Sequence, residues 1–219
     1  MDIEILFEDD QVLAVSKPPD TLVVPSPWTA YHETLLGQAK AYAKGRVWPV
    51  HRLDRDTSGV VLFAKTPLAC KSFHDQFQGR TIKKVYEAIV KGHFDQPAGA
   101  ITLPVGKGRR WSEGAVKKGG DFAQTLYRVK ERCGPVTHLA VYPQTGRFHQ
   151  VRIHLAAVGH PLAYDPIYHK ENPWPWVKRV PLHAASITFQ HPVTHKPVTV
   201  EALLPKDLRS VLFRFRQGS

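Results

Sequence analysis

Apolar side chains lie at alternate positions near the start of the sequence, at Ile3, Ile5 and Phe7. A period of two residues is typical of a β-strand that buries one face. Asp9 and Asp10 predict a turn, and the apolar run 12–15 predicts the returning strand of a hairpin. The two prolines after Lys17 end this strand, because proline lacks the backbone N–H that a sheet requires.

Three segments carry apolar side chains three or four residues apart, the spacing of an amphipathic helix. The first covers 34–44 and stops before Gly45. The second begins at an N-cap, Thr66, and ends at Gly79, whereas the third begins after another N-cap, Thr145. Their apolar faces consist of Leu35, Ala39 and Tyr42 in the first helix, Ala69, Phe73 and Phe77 in the second, and Phe148, Val151, Leu155 and Val158 in the third.

Apolar or alternating runs between turn residues predict further strands. The run 60–64 is apolar throughout and indicates a buried strand, and the polar stretch 106–120 indicates a mobile loop or a hairpin. The remaining predicted strands are 85–90, 123–130, 138–142, 185–190 and 198–202. We therefore expect a single domain, residues 1–219, with a mixed α/β fold in which a few helices flank a long, mainly antiparallel sheet.

The charge balance favours a polyanionic partner. Thirty lysines and arginines exceed nineteen aspartates and glutamates, which gives a net charge of +11. Such an excess attracts nucleic acid and accelerates encounter with it. The alternative is an ordinary protein with a basic surface, so charge alone favours nucleic acid without establishing it.

Cysteine usage and the N-terminus predict a soluble cytoplasmic protein. The two cysteines, Cys70 and Cys133, form no C-x-x-C unit, which fits a reducing compartment. The first residues are acidic where a signal peptide would be basic, and no apolar run reaches the roughly 20 residues that span a membrane. We expect no membrane association and, by default, a monomer.

Neither a metal nor a nucleotide cofactor is predicted. The chain has twelve histidines, but their spacing matches no H-E-x-x-H or Cys/His ligand pattern. The glycine-rich motifs that bind phosphates are missing, and so is the G-x-S-x-G motif of serine hydrolases.

The densest polar cluster, residues 51–59, comes directly before the predicted buried strand. Catalytic groups commonly lie on loops that a rigid scaffold holds, so the cluster is a candidate active site. A solvated turn, whose aspartates and serine bond the backbone, explains the same composition equally well.

A second polar cluster, residues 145–154, places Arg152 on the apolar face of the third predicted helix. An arginine there either extends its guanidinium to solvent or meets a carboxylate. In the second case Arg152 would pair with Asp54 at the base of a cleft. This pair would keep Asp54 ionised by lowering its pKa.

Aromatic residues close to basic ones are numerous, and they suit either stacking on unpaired RNA bases or a hydrophobic core. The sequence does not separate these two roles. The residues concerned are Trp28, Trp48, Tyr86, Trp111, Tyr164, Tyr168, Trp174 and Trp176.

Taken together, these segments resemble the RluA-type pseudouridine synthase family. Residues 51–59 read H-R-L-D-x-x-T-S-G, and residues 145–154 read T-G-R-x-H-Q-x-R-x-H. The resemblance also includes the N-terminal hairpin with Lys17-Pro18, and it continues along most of the chain. The further matching segments are 84–88, 123–127, 159–161, Asp165 and 182–184.

The resemblance implies an isomerase that converts uridine to pseudouridine in ribosomal or transfer RNA, without a cofactor and without acting on DNA. It implies that Asp54 is the catalytic aspartate, that Tyr86 packs on the target base and that Arg152 pairs with Asp54. The implied fold carries the active-site cleft across the middle of its sheet. The residues expected to bind substrate are Arg52, His51, Arg55, Thr57, Arg147, His149 and Leu182.

Some features depart from the family pattern. They affect the expected choice of substrate RNA more than the expected isomerisation reaction. The chain begins at the catalytic domain, without the S4-type RNA-binding domain of many members. Asp20 replaces a common glycine after Lys-Pro, and Tyr164 replaces another before Asp165.

The sequence is also compatible with two other functions. The first is an RNA-binding module without catalysis, and the second is a nuclease that uses His51 or His149 with Asp54.

Overall fold

The computed structural model describes residues 3–108 and 113–218. Arg109, Arg110 and Trp111, which the sequence places in a basic stretch, lie outside the described residues. The chain forms two compact units. Unit 1 comprises Met1–Lys84 and Ala184–Leu203, and unit 2 comprises Val85–His183 and Leu204–Ser219.

Unit 1 is built on antiparallel strands. The predicted hairpin is confirmed, because β1 (Glu4–Glu8) pairs with β2 (Val12–Lys17), and β2 pairs in turn with β4 (Ser58–Ala64). Asp9 stabilises the hairpin turn, since its Oδ1 accepts hydrogen bonds from the backbone N–H of Gln11 and Val12, each at 2.8 Å. The elements are β1 (Glu4–Glu8), β2 (Val12–Lys17), α1 (Leu35–Ala43), β3 (Trp48–Pro49), β4 (Ser58–Ala64), α2 (Pro67–Gln78) and β12 (Pro197–Glu201), together with most of β11 (Leu182–Gln190).

The core of unit 1 surrounds β4, in which every residue is buried. Such a strand reads as a continuous apolar run because both of its faces are covered. Phe73 of α2 packs there against Phe189, with ring centroids 5.1 Å apart. The predicted buried strand is thereby confirmed.

Hydroxyl side chains cap both helices of unit 1, which confirms the predicted N-cap Thr66 and places Thr34 before the first helix instead of within it. The hydroxyls of Thr34 and Thr66 each accept a bond at 3.1 Å from the N–H three residues on. The predicted apolar face of α1 is wrong at Tyr42, which is half exposed and donates its hydroxyl to Glu8 at 2.9 Å. Helix α1 ends at Ala43 with Lys44 as its C-cap, at φ of 47°, so Gly45 follows the helix as predicted.

The described residues of unit 2 contain an antiparallel ladder in the order β5 (Lys83–Lys91), β10 (Val136–Pro143), β9 (Gln124–Cys133) and β6 (Ala98–Thr102). The polar stretch forms the hairpin β7–β8, which confirms one of the two predicted alternatives. Strand β6 and helix α4 were not predicted. The elements are β5 (Lys83–Lys91), β6 (Ala98–Thr102), β7 (Val105–Lys107), β8 (Gly114–Val116), β9 (Gln124–Cys133), β10 (Val136–Pro143), α3 (Gln150–Ala157) and α4 (Lys206–Arg216).

The predicted start of α3 is wrong. The helix begins at Gln150 with His149 as its N-cap, not after Thr145. The Thr145 hydroxyl donates to Oε1 of Gln150 at 2.6 Å and accepts from the N–H of Gln124 at 3.1 Å. The Thr145 hydroxyl therefore accepts from the N–H of Gln124 and not from a backbone N–H of the helix. Residues 145–149 form a loop, in which Phe148 is half exposed.

The expected fold class is confirmed: the chain is a mixed α/β protein with a large, mainly antiparallel sheet, and its described residues form four α-helices that flank the sheet. Among the helices described, none is long and apolar enough to cross a membrane. Both Cys70 and Cys133 are free thiols.

Glu87 of β5 provides a prediction about stability and pH. Burial alone would raise the pKa of Glu87, but hydrogen bonds from His138 and Lys130, at 2.8 and 2.7 Å, lower it to about 2. The usual value of 4.5 applies when the chain is unfolded. The stabilisation is therefore fully present above pH 4.5 and is lost as the pH falls towards 2.

We expect Glu87→Gln to lower the free energy of unfolding by about 2 kcal/mol at pH 7 and to flatten its dependence on pH between 5 and 2. Urea unfolding at several pH values measures both effects. Glu171→Gln is the matched control, because Glu171 is 83% exposed in its ion pair with Lys91 and contributes little. Parallel pH profiles for Glu87→Gln and the unmodified protein would contradict this prediction.

Candidate active site

The first part of the site is the loop between β3 and β4, residues 50–57, in unit 1. Leu53 and Thr57 are buried, and the N–H of Thr57 donates to the carbonyl oxygen of Asp54 at 3.1 Å. Buried residues on both sides hold the turn, so Asp54 occupies a defined position. Arg52 and Arg55 are exposed beside it.

His51 supports this loop from within unit 1. Its Nε2 accepts a hydrogen bond from the N–H of Leu62 in β4 at 2.9 Å. Burial, and secondarily the positive charge of Lys84, lower the pKa of His51 to about 3. A neutral imidazole whose Nε2 is occupied acts as an anchor and not as an acid or base near neutral pH.

Lys17 is a supporting residue that sequence reasoning overlooked. Its side chain is buried, and its Nζ donates to the carbonyl oxygens of Pro18, Thr21 and Arg55 at 2.9, 2.8 and 2.8 Å. These bonds fix the chain beside Asp54 to the segment that follows β2. The signal in the sequence was a lysine that directly continues an apolar strand. A lysine that such a strand buries needs hydrogen-bond partners, because lysine is almost never fully buried without them.

The second part of the site surrounds Arg152 of α3 in unit 2. The guanidinium is 1% exposed, so of the two alternatives that the sequence left open, extension to solvent is excluded. Its Nε and Nη2 donate to the two carboxylate oxygens of Asp165, both at 2.8 Å. Asp165 also accepts from the N–H of Ile167 and of Tyr168, which fixes the carboxylate itself. The predicted pair between Arg152 and Asp54 stays a prediction.

His149 and Tyr168 complete the surroundings of Arg152. Nη1 of Arg152 lies 3.3 Å from Nε2 of His149, and Nδ1 of His149 lies 2.9 Å from the Tyr168 hydroxyl oxygen. A guanidinium only donates, so Nε2 accepts and Nδ1–H donates to Tyr168. The Tyr168 ring also lies 5.3 Å from the guanidinium carbon. These contacts hold the arginine in one orientation.

The other predicted residues of unit 2 occupy two environments. Tyr86, half-buried on β5, packs against the apolar cluster that contains Leu182 and the α3 residues Val151 and Leu155. Arg147 keeps 37% of its side chain exposed while its Nε donates to the carbonyl oxygen of Phe122 at 3.2 Å. Unit 2 thus brings Tyr86 and Leu182 to the helix that carries Arg152.

The family model for RNA pseudouridylate synthases matches residues 11–157, two thirds of the chain, including Asp54, Tyr86 and Arg152. The chain belongs to the RNA pseudouridine synthase family. Members of this family are isomerases that act on uridine in RNA, and the resemblance drawn from the two motifs is confirmed.

Two curated pseudouridine synthases illustrate the relationship. The chain is 37% identical to the dual-specificity RNA pseudouridine synthase RluA of Vibrio vulnificus, over 88% of this chain and 79% of that protein. It is 33% identical to the ribosomal large subunit pseudouridine synthase C of Vibrio cholerae, over 98% of this chain and 70% of that protein.

A solved structure supports the fold of this pseudouridine synthase. Human RNA pseudouridylate synthase domain containing 4 superposes with a TM-score of 0.81 at 21% identity, covering 97% of this chain and 93% of that one. Within residues 3–108 and 113–218, no group of three or more histidine, cysteine, aspartate or glutamate side chains is placed to hold a metal ion.

Proposed function

We propose that this chain isomerises specific uridines to pseudouridine in ribosomal or transfer RNA, with Asp54 as the catalytic carboxylate. The observation that carries the proposal is the H-R-L-D-x-x-T-S-G loop, which holds Asp54 between buried residues in a chain of this family. A carboxylate on a braced loop is suited to act as a nucleophile or a base.

The reaction is an isomerisation, and its atoms balance without a co-substrate. The bond from uracil N1 to the sugar C1′ breaks and a bond from C5 to C1′ forms, while the proton on C5 is lost and N1 gains one. Nothing is oxidised or reduced. This balance supports the expectation that neither cofactor nor metal is required.

Arg152 is proposed to pair with the ionised Asp54. A guanidinium has five N–H donors, so the bidentate bond to Asp165 is compatible with a second carboxylate. Tyr86 is proposed to stack on the uracil and to relay the C5 proton through its hydroxyl.

Arginines are proposed to hold the RNA while the target base leaves its stack, which costs a few kcal/mol. Arg52 and Arg55 are exposed beside Asp54, and Arg147 is partly exposed near α3. Contacts from such side chains to phosphates would offset the cost of extruding the base. His51, Thr57, His149 and Leu182 are proposed to shape the site, since each is fixed by the contacts described above or buried.

Tyr86→Phe tests the hydroxyl of Tyr86. The ring and its packing remain, so we expect the dissociation constant for substrate RNA to stay within about twofold while the single-turnover rate falls roughly 10- to 100-fold. Quenched single-turnover assays measure this rate. A rate equal to that of the unmodified enzyme would remove the hydroxyl from the mechanism.

A pure binding module is the second candidate function. A nuclease that uses His51 or His149 with Asp54 as acid and base is the third. The low pKa of His51 and the bond from Leu62 to its Nε2 argue against His51 in that role. Incubating the protein with RNA separates all three, because a synthase creates pseudouridine at unchanged chain length, a nuclease shortens the RNA and a binder does neither.

We also propose that the enzyme acts in the cytoplasm as a monomer and on RNA in preference to DNA. The two free thiols are consistent with a reducing compartment. Light scattering tests the monomer, since a single chain has a mass of 24.7 kDa. Competition between RNA and DNA of equal sequence tests the preference.

A further inference from the structure

Trp28 lies in the segment between β2 and α1 with 93% of its surface exposed. A single exposed aromatic residue is unremarkable by itself. The turn around Trp28, however, is fixed: the Thr29 N–H donates to the Ser26 carbonyl oxygen at 3.2 Å, and the hydroxyls of these two residues lie 3.0 Å apart. Prolines on both sides of Ser26 further restrict the backbone. The backbone that carries the indole ring is therefore held in place, and the ring itself is presented to solvent.

The ring borders a pocket of about 490 Å³ in unit 1. This volume is within the range of sites that bind small organic groups. Its lining combines the aromatic face with polar and charged side chains, among them Asp20, Trp28, Thr29, His32, Glu33 and Arg55.

Arg55 joins this pocket to the proposed catalytic loop. It follows Asp54 directly, and consecutive Cα atoms are about 3.8 Å apart. Its Nε donates to Oδ1 of Asp20 at 2.7 Å, and Lys17 holds its carbonyl oxygen at 2.8 Å. Asp20 has φ of 59°, a left-handed conformation that aspartate tolerates better than most residues. The residue that replaces the family's common glycine thus positions an arginine next to Asp54.

The chemistry of the lining selects the kind of occupant. An exposed indole is a platform for stacking a nucleobase. The carboxylates of Asp20 and Glu33 repel a phosphate but accept hydrogen bonds from the N–H groups of a base edge. Arg55, with 60% of its side chain exposed, is available to bind the phosphate group next to that base in the RNA.

We propose that this pocket binds the base of a nucleotide that neighbours the target uridine, stacked on Trp28. The inference rests on the proposed function, because Asp54 defines where the target uridine lies. Beyond that function, the inference adds a subsite that recognises the RNA sequence around the target uridine. It also assigns Asp20 a role, which is to position Arg55.

Binding of a labelled RNA tests the pocket. The probe is a nine-residue RNA with one central uridine and cytidines elsewhere, measured by fluorescence anisotropy at low salt. We expect Trp28→Ala to raise the dissociation constant roughly 5- to 100-fold, the range measured for loss of one stacked base. Trp28→Phe keeps an aromatic face and should raise it less than about threefold.

RNA probes that lack one base identify the nucleotide that contacts Trp28. At one position beside the uridine, loss of the base should weaken binding to the unmodified protein but not to Trp28→Ala. Leu203→Ala, which truncates another apolar side chain of unit 1 that is 88% exposed, is the matched control and should leave affinity unchanged.

The proposal is overturned if the unmodified protein does not bind the probe, if Trp28→Ala binds as tightly as Leu203→Ala, or if base removal weakens both proteins equally at every position. Pseudouridine formation is scored in a separate assay on cellular RNA. A protein that binds through Trp28 but forms no pseudouridine would refute the proposed function and leave only a base-binding pocket at Trp28, without a target uridine beside it.

Discussion

Asp54→Asn should reduce the single-turnover rate of pseudouridine formation by at least about 10⁴-fold, to background. Asparagine has nearly the same shape but carries no negative charge, so it serves neither as a nucleophile nor as a base. The contact that fixes the loop uses the backbone carbonyl of Asp54, which the substitution retains. We therefore expect the free energy of unfolding and the dissociation constant for RNA to change little.

Asp56→Asn is the control for this experiment. It removes the same charge from the same loop two residues further on, and its rate should stay within about threefold of the unmodified enzyme. Asp54→Glu separates charge from position, because it restores the carboxylate one methylene out of place. Equal rates for Asp54→Asn and Asp56→Asn would contradict the assignment of Asp54.

Asp165→Ala should destabilise the protein by about 3–5 kcal/mol and should also slow catalysis. Both partners of the pair are 1% exposed, and the substitution leaves the guanidinium of Arg152 buried without its bidentate carboxylate. It also removes the acceptor for the N–H groups of Ile167 and Tyr168. Denaturant unfolding measures the loss of stability, and Asp165→Asn, which keeps one acceptor oxygen, provides a milder variant if the alanine protein does not fold.

Asp207→Ala is the matched control in unit 2. Asp207 accepts two bonds from Arg179 at 2.6 and 3.2 Å, but 53% of its side chain is exposed, so its loss should cost about 1 kcal/mol or less. If Arg152 is oriented for catalysis by Asp165, Asp165→Asn should lower kcat more than it raises KM. Equal costs for Asp165→Ala and Asp207→Ala would show that the buried pair has no special role in stability.

Local sequence patterns predicted most of the elements because the forces that set them act over a few residues. Strand β4 follows from its unbroken apolar run, and α2 follows from Thr66 with proline at the first helical position. The Asp54 loop was found for the same reason, since its polar residues are contiguous. Helix α4 was overlooked, although its buried residues, Leu208, Val211, Leu212 and Phe215, have helical spacing.

Contacts between distant residues could not be predicted from such patterns. Asp165 was recognised only as part of a motif, and its bond to Arg152 depends on how the chain folds back over a separation of 13 residues. Lys17 bonds a carbonyl 38 residues away. Thr145 has the chemistry of an N-cap, but the backbone N–H of Gln124 and the side chain of Gln150 engage its hydroxyl instead.

The most direct test of the central claim is to map pseudouridine in ribosomal and transfer RNA transcribed without modifications, after incubation with the purified protein or with its Asp54→Asn variant. Carbodiimide labelling and primer extension locate each pseudouridine. The unmodified protein should produce signals at defined uridines in RNA of unchanged length, and the variant should produce none. Signals of equal strength from the variant, or none from the unmodified protein, would contradict an isomerase that depends on Asp54.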